Sequence, residues 1–275
     1  MQIVVGSGKG GTGKTLLATA LALCLDERLC FLDCDVEEPN SHLFLQPEWD
    51  SRQDCTLVIP EILTARCTLC GRCRDFCRFN AITMFGPTIM TFADMCHSCG
   101  GCFLVCPEGA IRETERLVGH VEQGHCNGIN FVQGRLRIGE PMAVPLIRAV
   151  RKHAAGEDLV IIDAPPGTSC PFVDTLTDAD YVILVTEPTP FGLHDLQLAV
   201  EVVRSLGKKF GVVVNRDGLG DGRVEAWCRE NDIRILLRIP FDPAIARGYG
   251  AGHDLLAIRP EMRPALQQLL EEIGR

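Results

Sequence analysis

The chain has 275 residues, a formal net charge of −9 and 46% hydrophobic residues, enough for one large α/β domain with a small insertion. That acidic balance, with only two Trp and two Tyr, argues against nucleic acid held by phosphate contacts or base stacking. No apolar run reaches the roughly 18 residues of a membrane span, and the chain opens on a strand with no signal-peptide pattern, so a cytoplasmic protein is expected.

The run Gln2-Ile3-Val4-Val5 predicts a buried strand, and Leu16 to Leu25 predicts a helix. Between them lie Gly8, Lys9, Gly10, Gly11, Thr12, Gly13, Lys14 and Thr15. Gly8, Gly13, Lys14 and Thr15 meet the pattern G-x-x-x-x-G-K-T. Such a loop turns its N–H groups towards phosphate oxygens, and the helix dipole behind it favours the same anion. Lys14 is expected to reach the β- and γ-phosphates and the Thr15 hydroxyl to bind Mg²⁺. Lys9 has little to do for phosphates that Lys14 already serves. With it the loop reads K-G-G-x-G-K-T, and so resembles the deviant P-loop of the MinD/Mrp/ParA ATPases. The resemblance implies an ATP-dependent sandwich dimer, either a homodimer or a heterodimer with a related ATPase, in which Lys9 reaches the partner's nucleotide.

The next strand, Cys30 to Asp35, ends in two carboxylates where open α/β sheets bind ligands. The resemblance makes this the first switch, with Asp35 orienting or activating water and Asp33 nearer the Mg²⁺ shell.

Fifteen cysteines without an export signal point to metal ligands rather than a disulfide framework. Cys67, Cys70, Cys73 and Cys77 repeat 29 residues later as Cys96, Cys99, Cys102 and Cys106. Each run is C-x₂-C-x₂-C-x₃-C, the bacterial two-cluster ferredoxin pattern, in which the fourth cysteine crosses to the other cube. One 4Fe–4S cluster is therefore expected on Cys67, Cys70, Cys73 and Cys106, and a second on Cys96, Cys99, Cys102 and Cys77. Zinc sites take four ligands, usually as two separated pairs, and fit two identical runs of four less well. Arg78 stands where proline is usual, which removes no ligand. The other seven cysteines lack ligand spacing and read mostly as small buried hydrophobes.

From Leu117 to Ile138 the pattern alternates loosely, with Gly119, Gly124, Gly128 and Gly134 as expected turn points between hairpin-like strands. Asp158 to Asp163 reads as a buried strand ending in a carboxylate for the Mg²⁺ shell. The following Ala164-Pro165-Pro166-Gly167-Thr168 resembles the second switch of Mrp-like proteins, which assigns the Gly167 N–H to the γ-phosphate. By the same resemblance Asn215, at the end of a later strand, reads the adenine edge, and Pro240 begins a backbone wall against the base. The terminal helix, about Arg259 to Ile273, has an apolar face without a lysine row, which predicts docking on the core rather than on a membrane.

The expected fold is α/β, a doubly wound, mostly parallel P-loop sheet. Residues 1–58 and 115–275 would form the ATPase domain, and residues 59–114 an inserted small α+β ferredoxin-type domain. The expected function is an ATP-hydrolysing iron–sulfur protein whose nucleotide-dependent dimer couples ATP to electron transfer with a redox partner protein. Two alternatives stand beside it: an iron–sulfur assembly or carrier ATPase, and a non-enzymatic redox-sensing scaffold.

Overall fold

Short apolar runs that end in glycine or aspartate build the centre of the molecule. The computed structural model describes residues 1–274. The first half runs β1 (Gln2–Gly6), α1 (Lys14–Leu23), β2 (Leu29–Asp33), α2 (His42–Leu45) and β3 (Glu48–Ile62). There follow α3 (Arg72–Phe76), β4 (Ile82–Phe85), β5 (Thr88–Thr91), α4 (Gly101–Val105), β6 (Ile111–Cys126) and β7 (Ile129–Leu136). Next come α5 (Val144–Arg151), β8 (Val160–Asp163), α6 (Cys170–Thr175), β9 (Tyr181–Thr186), α7 (Pro190–Ser205) and β10 (Phe210–Asp217). The chain closes with α8 (Arg223–Glu230), β11 (Ile235–Pro240), α9 (Pro243–Gly250), α10 (Leu255–Ile258) and α11 (Arg263–Gly274).

Nine strands form one sheet in the order β11-β10-β9-β1-β8-β2-β7-β6-β3. Those from β11 to β7 are parallel, and β6 and β3 join antiparallel at the edge. Successive residues of each central strand serve opposite faces, so both faces must be apolar. Val4, Leu32 and Ile162 pack under α5, α6, α7 and α8. Val5, Phe31 and Ile161 pack under α1, α9, α10 and α11. Helix α11 buries Leu266, Leu269 and Leu270 in that second core, and Arg263 and Gln267 donate to the carbonyls that end α1. Among the described residues no helix is long and apolar enough to cross a membrane.

The order in which strands are added reverses around β1 and β8: the chain passes from β1 to β2 on one side and from β8 to β9 on the other. Ligands in open α/β sheets bind in the crevice that such a reversal opens. The loop before α1 lies there.

The region after β2 departs from expectation. Strand β3 is a 15-residue edge strand paired along its length with β6, so the sheet continues as a two-stranded ribbon to Ile62 and Ile111. Of the four glycines expected at turns, only Gly128 sits in one. It follows Asn127 in the β6–β7 hairpin, and both have positive φ, 81° and 47°, as the tight hairpin turn requires. Gly119, Gly124 and Gly134 lie inside strands because there is no room for a side chain. An added Cβ at Gly134 would come 2.5 Å from Val36 Cγ1, and one at Gly119 would come 2.4 Å from the Arg135 carbonyl oxygen.

Residues 63–110 lie beyond the ribbon and are closed at its tip by the Leu63 N–H donating to Ala110. Their core is small: Ile59, Ala81 and Cys96, with Cys77 and Ala93 against it. The 29-residue repeat is visible in the backbone. Leu69 and Ser98 both take positive φ, 58° and 54°, as do Gly71 and Gly100 at 77° and 75°. Each glycine precedes a five-residue helix, α3 or α4. An ionic latch ties this segment back to the sheet. Arg137 NH2 donates to Asp94 Oδ1 at 2.8 Å and to Glu140 Oε2 at 3.2 Å, while buried Arg116 pairs with the same Glu140 carboxylate.

Candidate nucleotide site and cysteine pockets

The glycine-rich loop crosses from β1 to α1 with Gly13 at φ 97°, which frees the N-terminus of α1 to point into a cleft. The cleft measures about 390 Å³. Gly10, Gly11, Gly13, Lys14 and Thr15 line it with Asp35, Asn40 and the Pro165-Pro166 turn. At its back the Thr15 hydroxyl donates to Asp163 Oδ2 at 2.6 Å. The other Asp163 oxygen, Oδ1, is buried without a hydrogen-bond partner. A buried, orphaned carboxylate oxygen beside a threonine hydroxyl is chemistry that suits a hydrated Mg²⁺.

Asp35 stands at the mouth. Burial first, and then the charge of Asp163, push its carboxyl up to about 7, with Lys14 pulling the other way. Asp33, expected near the Mg²⁺ shell, spends both oxygens on the backbone of its own loop. Its Oδ1 accepts from the Asp35 N–H and its Oδ2 from the Ser41 N–H, both at 3.1 Å. The carboxylate is fully buried and acts here as a clamp on the segment carrying Asp35. The Gly167 N–H, expected to meet a phosphate, donates to the Ser7 carbonyl at 3.0 Å.

Beside the cleft, a pocket of about 140 Å³ is lined by Gly13, Leu16, Asn215, Pro240, Phe241 and Tyr249, among others. Asn215 Nδ2 donates to the Thr12 carbonyl at 2.8 Å, and its Oδ1 accepts from the Arg216 N–H. The amide therefore braces the loop while it lines the pocket.

Lys9 turns away from the cleft. Its Nζ lies 2.9 Å from Glu187 Oε1, and Arg216 NH1 holds the other oxygen at 2.6 Å. Glu187 and Tyr249 are the side chains that sequence reasoning missed. Glu187 sits at the end of β9 with no motif around it, and Tyr249 reaches the site from α9, far along the chain.

Two further pockets lie in the segment 63–110. Cys67, Cys70, Cys73 and Cys106 line one, and Cys77, Cys96, Cys99 and Cys102 line the other. All eight thiols are free. Among the described residues, no three His, Cys, Asp or Glu side chains converge on a single metal-ion position. The thiols ring their pockets instead. Burial, then the neighbouring Cys96, push the Cys102 thiol up to about 11. Burial raises Cys73 too, with Cys106 and Cys67 adding to it. Thiols crowded in this way give up their protons when a cationic centre neutralises them.

A family model described as the CobQ/CobB/MinD/ParA nucleotide binding domain matches residues 3–255. The chain belongs to this family. It is a nucleotide-binding protein of the MinD/ParA ATPase type, and the match spans the glycine-rich loop, β2, β8 and the pocket at Asn215. The uncharacterised protein MJ0578 of Methanocaldococcus jannaschii is 31% identical over 88% of this chain and 85% of its own length. The cytosolic Fe-S cluster assembly factor Nubp1 homolog of Drosophila pseudoobscura pseudoobscura is 27% identical, over only 42% of this chain and 45% of its own length. Among solved structures, the septum site-determining protein MinD complexed with Mg-ADP from Pyrococcus horikoshii superposes with a TM-score of 0.61. It covers all of this chain and 96% of its own at 21% identity, a likeness of fold.

Proposed function

We propose that this protein is a Mg²⁺-dependent ATPase that carries two 4Fe–4S clusters and couples its nucleotide state to electron transfer through them. The observation that carries the reading is the pair of four-thiol pockets on a ribbon rooted in the P-loop sheet. Each draws three cysteines from one run and the fourth from the other, as two-cluster ferredoxins do. The duplicated backbone turns support the same reading. Residues 59–114 are then an inserted ferredoxin-type domain between ATPase segments 1–58 and 115–275. The Ala110 N–H, 3.2 Å from Cys106 Sγ, is placed to donate to a thiolate there. When bound, such clusters supply one-electron transfer.

On the nucleotide side, Lys14 and the loop N–H groups cradle the phosphates. Thr15 and Asp163 hold Mg²⁺, and Asp35 orients the attacking water. Lys9 leaves Glu187 to reach the nucleotide of a partner, a second copy or a related ATPase. The protein acts in the cytoplasm with a redox partner and without nucleic acid. A second reading, assembly or transfer of clusters, is favoured by the partial similarity to the Nubp1 homolog. Ligation by four thiols per pocket supports resident clusters over cargo.

The test has two arms. Protein purified without oxygen should hold about eight irons and keep them when offered an apo-acceptor. Lys14→Ala should abolish ATP binding, whereas Lys9→Ala should bind ATP but lose turnover and ATP-dependent association. Iron passing to the acceptor would favour the second reading. Equal loss of binding in both variants would remove Lys9 from the partner's site.

A further inference from the structure

The loop glycines and one side chain, Tyr249, line both the cleft at Lys14 and the pocket at Asn215. Tyr249 projects from α9 at the boundary between the two. Among the described residues its hydroxyl has no hydrogen-bond partner. The phenol is held neutral, since burial, then Asp163 and Asp33, raise it above its ordinary range. It is therefore a donor without an acceptor. Its ring is not free to wander. It stacks on Phe44 with centroids 4.6 Å apart and planes 24° from parallel. Phe44 lies on α2, directly after Ser41, which donates its N–H to Asp33 and its hydroxyl to Asp163.

We infer that Tyr249 is a nucleotide-positioning residue whose hydroxyl donates to the sugar–α-phosphate linkage of the bound nucleotide. The inference rests on the reading of the cleft as the phosphate site and the pocket as the base site. A nucleotide that fills both must carry its ribose and α-phosphate across their boundary, which Tyr249 lines from both sides. Because the same ring stacks on Phe44, a nucleotide that orders Tyr249 also orders α2 and, through Ser41, the carboxylates at the Mg²⁺ position. A ligand consisting of phosphates alone would occupy the cleft without using the tyrosine.

The experiment compares Mg-ATP with inorganic triphosphate as ligands for the full-length protein, by calorimetry or competition. Tyr249→Phe keeps the ring and its stack, and removes only the donor. It should weaken Mg-ATP binding about fivefold, the worth of one hydrogen bond, and leave triphosphate binding unchanged. Tyr249→Ala, which also loses the stack, should weaken Mg-ATP further. Unchanged Mg-ATP affinity in Tyr249→Phe overturns the inference. An equal loss for both ligands overturns it too, since the hydroxyl would then serve the phosphates or the fold. Lys14→Ala tests the underlying reading separately: if it binds both ligands as the parent does, the cleft is not the phosphate site, whatever Tyr249 does.

Discussion

Replacing Glu140 by alanine should cost more than any other change to an ionic group away from the nucleotide site. Its side chain is fully shielded from solvent. It holds buried Arg116 and half-buried Arg137, and its Oε1 accepts from the Met142 N–H at 3.2 Å. Arg116 already has Nε and NH2 without partners. Without Glu140, the nearest negative charge to Arg116 is Asp94, 3.6 Å away and mostly exposed. A buried guanidinium stripped of its partner costs about 3–5 kcal/mol. In a chain of this size that lowers the melting temperature by about 6–20 °C, at roughly 2–4 °C per kcal/mol. The loss is a desolvation penalty rather than the net worth of the pair, so removing both charges should undo most of it. The variant Arg116→Met/Glu140→Leu should melt close to the parent. Thermal melts and urea midpoints measured without oxygen test this, with limited proteolysis of residues 63–110 as a local probe. A shift of under about 1 kcal/mol in Glu140→Ala would show that Arg116 is solvated and that the latch is not buried.

Three further outcomes are expected. Asp35 has its folded pKa raised from 3.8 to about 7, so the native state binds the extra proton and stability falls as pH rises through that window. In nucleotide- and metal-free protein, Asp35→Asn should flatten the decline between about pH 4 and 7; an unchanged slope would assign it to Asp33 and Asp163. Gly13→Ala sets a Cβ 2.3 Å from Asn215 Nδ2 at φ 97°. It should cost about 1–2 kcal/mol in backbone strain and lower ATP affinity, and calorimetry showing normal binding would refute the close approach. Cys106→Ser should alter the spectrum of the cluster on Cys67, Cys70 and Cys73; damage confined to the Cys96, Cys99 and Cys102 cluster would refute crossed ligation.

The glycine-rich loop and the central strands were legible because each is local. Phosphate chemistry demands its residues at fixed spacing, and a buried parallel strand is one apolar run. Strand β3 was not legible. As an edge strand it is exposed over Glu48 to Asp54 and shows no alternation to read, and it is defined by pairing with β6. The glycines of β6 and β7 misled for a related reason. In a sequence Gly134 resembles a turn, and only the fold reveals that Val36 fills the space where its side chain would be. The resemblance singled out Asn215, but its hydrogen bond to Thr12 is a tertiary fact. So are the Glu187 pair with Lys9 and the position of Tyr249. The repeat wrote out the cysteines, while the Asp94–Arg137 latch joins two stretches that carry no shared pattern.

The ribbon also sets a mechanical scale. The chain from β7 to Glu140 supports β6 from Arg116 onward, so residues 111–115 and their partners on β3 project past the parallel sheet. Five residues at about 3.4 Å each make an arm of about 17 Å. A swing of about 10° at its root would carry the tip sideways by about 3 Å, by the geometry of that arm. The root is close to Asp35, because the Leu136 N–H donates to the carbonyl of Val36, the next residue. The arm would thus magnify a displacement of a fraction of an ångström beside the cleft at Lys14. The Arg137–Asp94 bond acts as the stay that limits its travel. Spin labels on the β4–β5 hairpin and on α8 would read that travel as a distance.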